Sequence, residues 1–418
     1  MRKLAGNRTL VLGASVVALL VALGISQAVL DRSAAAQSKG AVQAPRFEVD
    51  PLWPKPLPNH WVLGSTIGVW VDTDDHVWII HRSSATLANN EKTLETKQGE
   101  CCAGAPPVLE FDQDGNLLRH WGGPGQGYEW PDSNHGIFID HKGNVWIGGN
   151  GGPDSQILKF TKDGKFLLQV GKKGARRKAG AGAGNQEGQV AGFVGGSNDQ
   201  ESFGRVAKIF VDAKANEAYV ADGYLNKRVA VLDADTGKMK RYWGAYGNKP
   251  DDTPLPPYNP ANPPAQQFYN PVHCADMSVD RFIYVCDRVG DRLQVFTPEG
   301  KFVKEQWYEK NTLNAGSVWD IAFSKDAQQK YIFMADGVNE KVKIIDRQTL
   351  QELTTFGDGG RQPGQFYGVH SIAIDSKGNL YTTETYEGKR LQRFMYKGMA
   401  AVTKDNQGVV WPTARGTR

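Results

Sequence analysis

The chain has 418 residues, with 48 Gly, 21 Pro, 22% charged residues and a formal net charge of +4. That balance suits a turn-rich globular protein and excludes a partner drawn in by bulk charge, a nucleic acid above all. Without the first 36 residues, which carry Arg2, Lys3, Arg8 and Arg32 against Asp31 alone, the charge is about +1.

Arg2, Lys3 and Arg8 precede an apolar run from Leu10 to Ile25, and Ala34-Ala35-Ala36 supplies small residues for cleavage before Gln37. This is the pattern of an export signal over 1–36. The run is almost long enough to span a bilayer, so an uncleaved anchor is the alternative, and membrane contact is expected only in that case. Either way the folded part, 45–418, belongs in the periplasm or is secreted. It is expected to be one domain and a monomer.

PRFEVDPLWP, starting at Pro45, contains a short strand candidate. From there one unit recurs six times. Its parts are an apolar strand ending in Asp or Ser, a polar turn, a strand rich in Val, Ile and Tyr, a loop, a third strand, a DG, EG or TG turn, and a closing strand ending in Trp-Gly or Phe-Gly. The first two copies read GVWVDTDDHVWIIHR with VLEFDQDGNLLRHWG, and GIFIDHKGNVWIGG with ILKFTKDGKFLLQVG. KIFVDAKANEAYVADG, ADMSVDRFIYVCD, IAFSKDAQQKYIFMADG and IAIDSKGNLYTTE open the other four. Alternating β-branched and aromatic residues between Gly, Asp and Asn turns signal strands, and a period of ~40 to 50 residues signals four-stranded propeller blades. The expected fold is all-β, a six-bladed β-propeller. The sixth copy ends RFMYKG without a closing strand, so the segment at Pro45 is expected to supply it and close the ring.

The four cysteines fit an oxidising compartment. Cys274 starts the first strand of the fourth unit and Cys286 ends the second. An antiparallel hairpin brings them face to face, as a disulfide or as two buried thiols. Cys101 and Cys102 are adjacent in a long loop and are either bonded to each other or act as ligands.

His135, His273 and His370 open HGIFID, HCADMS and HSIAID, the same place in the second, fourth and sixth units. The innermost strand of every blade lines the central channel, so these imidazoles fall about 120° apart around the axis. The same column holds Ile67, Ala207 and Trp319 in the other units, none of them a ligand. Three neutral imidazoles with a fourth position open form the pattern of a catalytic zinc site. The rival is a chance alignment among eight histidines.

The second strands end in His81-Arg82, Asp222-Gly223-Tyr224 and Asp287-Arg288. Antiparallel pairing sets Arg82, Tyr224 and Arg288 on the face where the histidines sit. The long connections 83–107, 172–202 and 245–267 belong to the same face, and elaborated loops on a rigid scaffold are where binding resides. The bland alternatives are a surface cation for Arg82, a pair with Asp287 or Asp291 for Arg288, and turn packing for Tyr224. Asp222, Asp287 and Asp336 recur at one column and are expected to tie down turns.

At these residues, from about Trp61 to Lys397, the chain resembles a known family. VWIIHR, DGYLNKR, CDRVGDRLQVF and the three histidine columns look like the NHL-repeat propeller of peptidyl-α-hydroxyglycine α-amidating lyase, the lyase half of the peptide-amidating monooxygenase. The resemblance implies Zn2+ on His135, His273 and His370, with Tyr224, Arg82 and Arg288 as catalytic residues. It implies cleavage of a carbinolamide N–C bond in a small-molecule or peptide substrate, giving an amide and glyoxylate. Zinc would lower the pKa of a substrate hydroxyl, Tyr224 would transfer a proton, and the arginines would hold a carboxylate. The family also carries a structural Ca2+ whose Asp follows the third histidine. Ser371 stands there in this chain, leaving main-chain oxygens such as those of Val69 and Ile137 as calcium ligands. Leu225 replaces the family's cysteine after the tyrosine, so that disulfide is not carried over. Two other classes compete: a calcium-dependent propeller lactonase or hydrolase, which would want acidic and Asn channel ligands, and a non-catalytic propeller that grips a protein or glycan.

Overall fold

The computed structural model describes residues 42–175 and 196–402. The segment expected to direct export lies outside the described residues, as does part of the connection 172–202. Among the described residues no helix is long and apolar enough to cross a membrane.

Among the described residues six four-stranded antiparallel sheets form the ring, and Trp61–Val62 pairs parallel with Ala103–Gly104 outside them. The innermost strands, Thr66–Val71, Asn134–Ile139, Val206–Asp212, Val272–Met277, Asp320–Phe323 and Val369–Ile374, surround the axis, and the other three strands of each blade follow outward in chain order. The sixth blade takes its outermost strand from the N-terminus. Gln43–Asp50 pairs antiparallel with Arg390–Ala401, a strand of 12 residues. The ring is therefore closed by the segment at Pro45, two residues longer at its start than PRFEVD.

Sequence periodicity explains the layering. The inner three strands of a blade are covered on both faces by neighbouring blades and read as nearly continuous apolar runs, such as buried Val77–His81. The outermost strands are half wet and alternate, as in Leu117–Trp121. Between blades one and two, Trp78, Ile80 and Val108 pack against Ile137, Val145, Ile147 and Leu158, and each such fully buried aliphatic side chain contributes roughly 1.5–3 kcal/mol. The DG turns are demanded twice over. Gly164 has φ +79°, and a Cβ there would lie 2.8 Å from the Trp121 ring of the preceding blade.

The aspartates that end inner strands hold the hairpins together. Asp140 accepts the Trp146 indole N–H at 2.9 Å, and Asp72 accepts that of Trp78 at 3.0 Å. Asp222, Asp287 and Asp336 tie turns as expected. They accept from Arg228 Nε, Arg292 Nε and Asn339 Nδ2 respectively, each also anchoring adjoining loop groups. Both cysteine pairs are disulfides. Cys274 and Cys286 join across the first hairpin of blade four, and Cys101 bonds to Cys102.

Candidate metal centre

Each histidine is the second residue of its inner strand, and the local backbone there is irregular in a repeated way. The pairing between first and second strand slips at Ile67, Ala207, His273 and His370, and over His135-Gly136 in blade two. A β-bulge removes a residue from the ladder, turns its side chain and frees its carbonyl. The consequence is a channel collar in which alternate blades supply an imidazole and the blades between supply a carbonyl oxygen.

The carbonyls hold the imidazoles. Nδ1 of His135 lies 2.7 Å from Ala207 O, Nδ1 of His273 lies 2.5 Å from Trp319 O, and Nδ1 of His370 lies 2.7 Å from Ile67 O. A carbonyl only accepts, so each Nδ1 carries the hydrogen and each neutral ring presents a lone pair at Nε2. The three ring centroids form a nearly equilateral triangle with sides of 4.8, 4.9 and 5.1 Å. One nitrogen from each ring lies within 4.8 Å of the others. Gly136 makes the close approach possible, because a Cβ there would sit 2.6 Å from the Ala207 oxygen that holds His135.

Burial and charge keep these rings neutral. All three are buried, and burial is the largest influence pushing their pKa values down. His370 is pushed to about 3, with the Arg288 and Arg82 guanidiniums adding to the burial, and the same cations disfavour protonation of His135. Neutral imidazole is the ligating form, so the site is set for a metal without first losing protons. Three neutral nitrogen donors with their second nitrogens anchored fit zinc with an open position.

The three rim residues converge on the cluster unequally. Tyr224 Oη lies 2.7 Å from His135 Nε2 and 3.2 Å from His273 Nε2, and Arg288 Nη1 donates to it at 3.2 Å. Arg288 is 1% exposed, and its guanidinium lies 4.6 Å from the Trp319 ring centroid. Of its two candidate partners, Asp287 holds Arg292, and Asp291 accepts the Ser317 amide. Arg82 stands further out, half-buried, donating to Asn150 Oδ1 at 3.0 Å and Asn134 O at 3.4 Å. Its charge reaches His135 and His370 through space.

Just beyond the histidine column lies a second tier that the repeat reading missed, with Lys208, Asp320 and Ser371 one position further along their strands and Asp276 three. The buried Lys208 ammonium sits 2.6 Å from Asp320 Oδ1 and 3.0 Å from Asp276 Oδ2. Ser371 Oγ donates to the other Asp320 oxygen at 2.6 Å. Lys208, Asp320 and Ser371 line the same small cavity as the three histidines. Burial works against the ammonium, but the two carboxylates outweigh it and hold its pKa above the ordinary lysine value. A structural calcium does not fit here, because Lys208 already sits between Asp276 and Asp320 and Ser371 takes the other Asp320 oxygen. The signal was present in VAKIFVD, where a lysine interrupts an inner-strand apolar run.

Sequence comparison finds distant relatives. The chain is 24% identical over 323 residues to NHL repeat-containing protein 3 of Mus musculus, covering 75% of this chain and 70% of that protein. It is 23% identical over 350 residues to a probable peptidyl-alpha-hydroxyglycine alpha-amidating lyase of Caenorhabditis elegans, covering 79% of this chain and 82% of that one. Among solved structures, a virginiamycin B lyase of Staphylococcus aureus aligns over 85% of this chain and 88% of its own at 14% identity, with a TM-score of 0.44. No family model matches the chain.

Proposed function

We propose that this six-bladed propeller is an exported, metal-dependent carbon–nitrogen lyase that cleaves the N–C bond of a peptidyl-α-hydroxyglycine-like carbinolamide, giving an amide and glyoxylate. The observation that carries this reading is the contact of Tyr224 Oη with the Nε2 atoms of His135 and His273, with Arg288 donating to the same oxygen. The distant amidating-lyase relative supports it. The two disulfides suit an oxidising compartment, which supports export.

His135, His273 and His370 would hold zinc, which supplies Lewis acidity toward a substrate oxygen. The net reaction moves one proton from the carbinol hydroxyl to the departing amide nitrogen while the N–C bond breaks and the carbinol carbon becomes an aldehyde. Tyr224 is placed to carry that proton, because its oxygen lies at the imidazole cluster and a guanidinium donates to it. Arg82 and Arg288 bring two positive charges to one mouth, where a substrate carboxylate is held and charge developing beside it is offset. Trp319 keeps Arg288 in place from below, and Asn150 aims Arg82.

Metal analysis of protein exported and purified from its host tests the centre. One equivalent of zinc per wild-type chain and none in His273→Ala is the expected result; absence of any stoichiometric transition metal from wild type defeats the reading. Glyoxylate release from an N-acyl-α-hydroxyglycine tests the chemistry. Tyr224→Phe is expected to keep its metal and lose roughly 100-fold or more in rate, the usual worth of a positioned acid–base group. Equal rates would remove Tyr224 from the reaction.

A further inference from the structure

Beside Arg288 the mouth opens into a cleft of about 700 Å³ that the reaction at the histidines does not account for. Such a volume is in the range of small-ligand sites. A hydroxyglycine unit is only a handful of heavy atoms and leaves most of it empty. Leu255, Pro257 and Tyr258, from the connection 245–267, line it together with Tyr269 and Tyr386. Arg288 is the one charged group among the described residues that line it.

The walls are held before any ligand arrives. Tyr258 Oη donates to Lys310 O at 2.9 Å, and the Tyr258 ring meets Tyr269 edge-on at 5.5 Å. Asn270 donates to Gly223 O and Asn226 O at 2.7 and 2.9 Å, which fastens this wall to the loop that carries Tyr224. Tyr386 is 48% exposed, backed by Trp319 at 6.5 Å, and Trp319 in turn lies under Arg288 and 5.4 Å from His370. Arg288 and Trp319 thus link the wall of the cleft to the metal centre. A rigid aromatic wall with few charges rewards a ring or a large apolar group and gives nothing to a small or charged one.

We infer that this cleft is the subsite for the group on the acyl side of the scissile bond and selects substrates whose flanking residue there is aromatic or large and apolar. The inference rests on the lyase reading of the histidine centre and adds the substrate class to it. A peptide whose penultimate side chain is a ring enters between Tyr258 and Tyr386, while the terminal unit reaches Arg288 and the histidines.

Binding of the uncleavable peptides acetyl-Phe-Gly and acetyl-Ala-Gly to the metal-loaded full chain, measured by calorimetry, tests the cleft apart from the chemistry. The phenylalanyl peptide is expected to bind roughly 10- to 100-fold more tightly, the effect of burying one ring. Tyr386→Ala, at an exposed position where folding is not at stake, is expected to shrink that preference to about threefold or less while acetyl-Ala-Gly keeps its affinity. Tyr258→Phe, which keeps the ring, is expected to keep the preference. Equal affinities in wild type, or a preference that survives Tyr386→Ala undiminished, overturns the inference. The corresponding α-hydroxyglycine peptides separate the two readings. If both bind with the stated preference but neither releases glyoxylate, the lyase reading fails and the aromatic subsite stands; if both react at equal kcat/KM, the subsite fails and the lyase stands.

Discussion

Lys208 shows how much a single inner-strand residue decides. Its buried ammonium pairs with both Asp276 and Asp320 immediately beside the histidine collar. Burial pushes Asp276 up to about 6 even with the ammonium in place, because Asp320 repels it as well. Lys208→Met leaves two buried carboxylates facing each other, and loss of one partner from a buried ion pair costs about 3–5 kcal/mol. Urea unfolding is expected to show that loss, whereas millimolar calcium or its chelation leaves the wild-type midpoint unmoved; a wild-type midpoint that rises with calcium contradicts the assignment. At this scale the histidine column and Tyr224, Arg82 and Arg288 were legible in the chain, because a repeat aligns equivalent positions. The meeting of Lys208 with Asp276 and Asp320 was not: the lysine stood out in VAKIFVD, but its partners come from two other blades, and Asp276 lies two places beyond the column that Lys208 and Asp320 share. Gly136 was equally silent: its role is to leave room for an oxygen 71 residues away in the chain, and that distance is visible only in space.

At the scale of elements, two features do the positioning. The bulges at the start of the inner strands free the Ile67 and Ala207 carbonyls, which together with Trp319 O fix the imidazoles. No residue pattern announces them, because bulges follow from how two strands fit and not from one strand's composition. The strand Gln43–Asp50 is the second feature. It completes blade six and buries Phe47 against Phe333 and Phe356 of blade five, with centroids 5.3 and 5.4 Å apart. Phe47→Ala is expected to destabilise the protein by about 3–5 kcal/mol, the cost of emptying a buried aromatic site. Thermal melting checks this, and an unchanged melting temperature would mean that the ring closes without its N-terminal strand.

The whole molecule is stabilised by packing between six blades, so the metal is expected to be a tenant of the channel and not its scaffold. Chelation should leave the far-ultraviolet circular dichroism spectrum intact and lower the melting temperature by only a few degrees. Added zinc should restore it, since a ligand at ~100 times its Kd contributes about 2.7 kcal/mol. Collapse of the spectrum on chelation would instead make the metal structural. Sequence by itself determined the propeller, its six units, the strand that closes it and the residues that alternate blades aim at the axis, because repetition and strand alternation are local properties repeated along the chain. Tertiary structure alone decided which nitrogen of each imidazole faces inward, which cation occupies the tier beside them and how Tyr224 and Arg288 meet them. Those relations depend on distances between blades that are close in space and far apart in the chain, and no local pattern encodes such a distance.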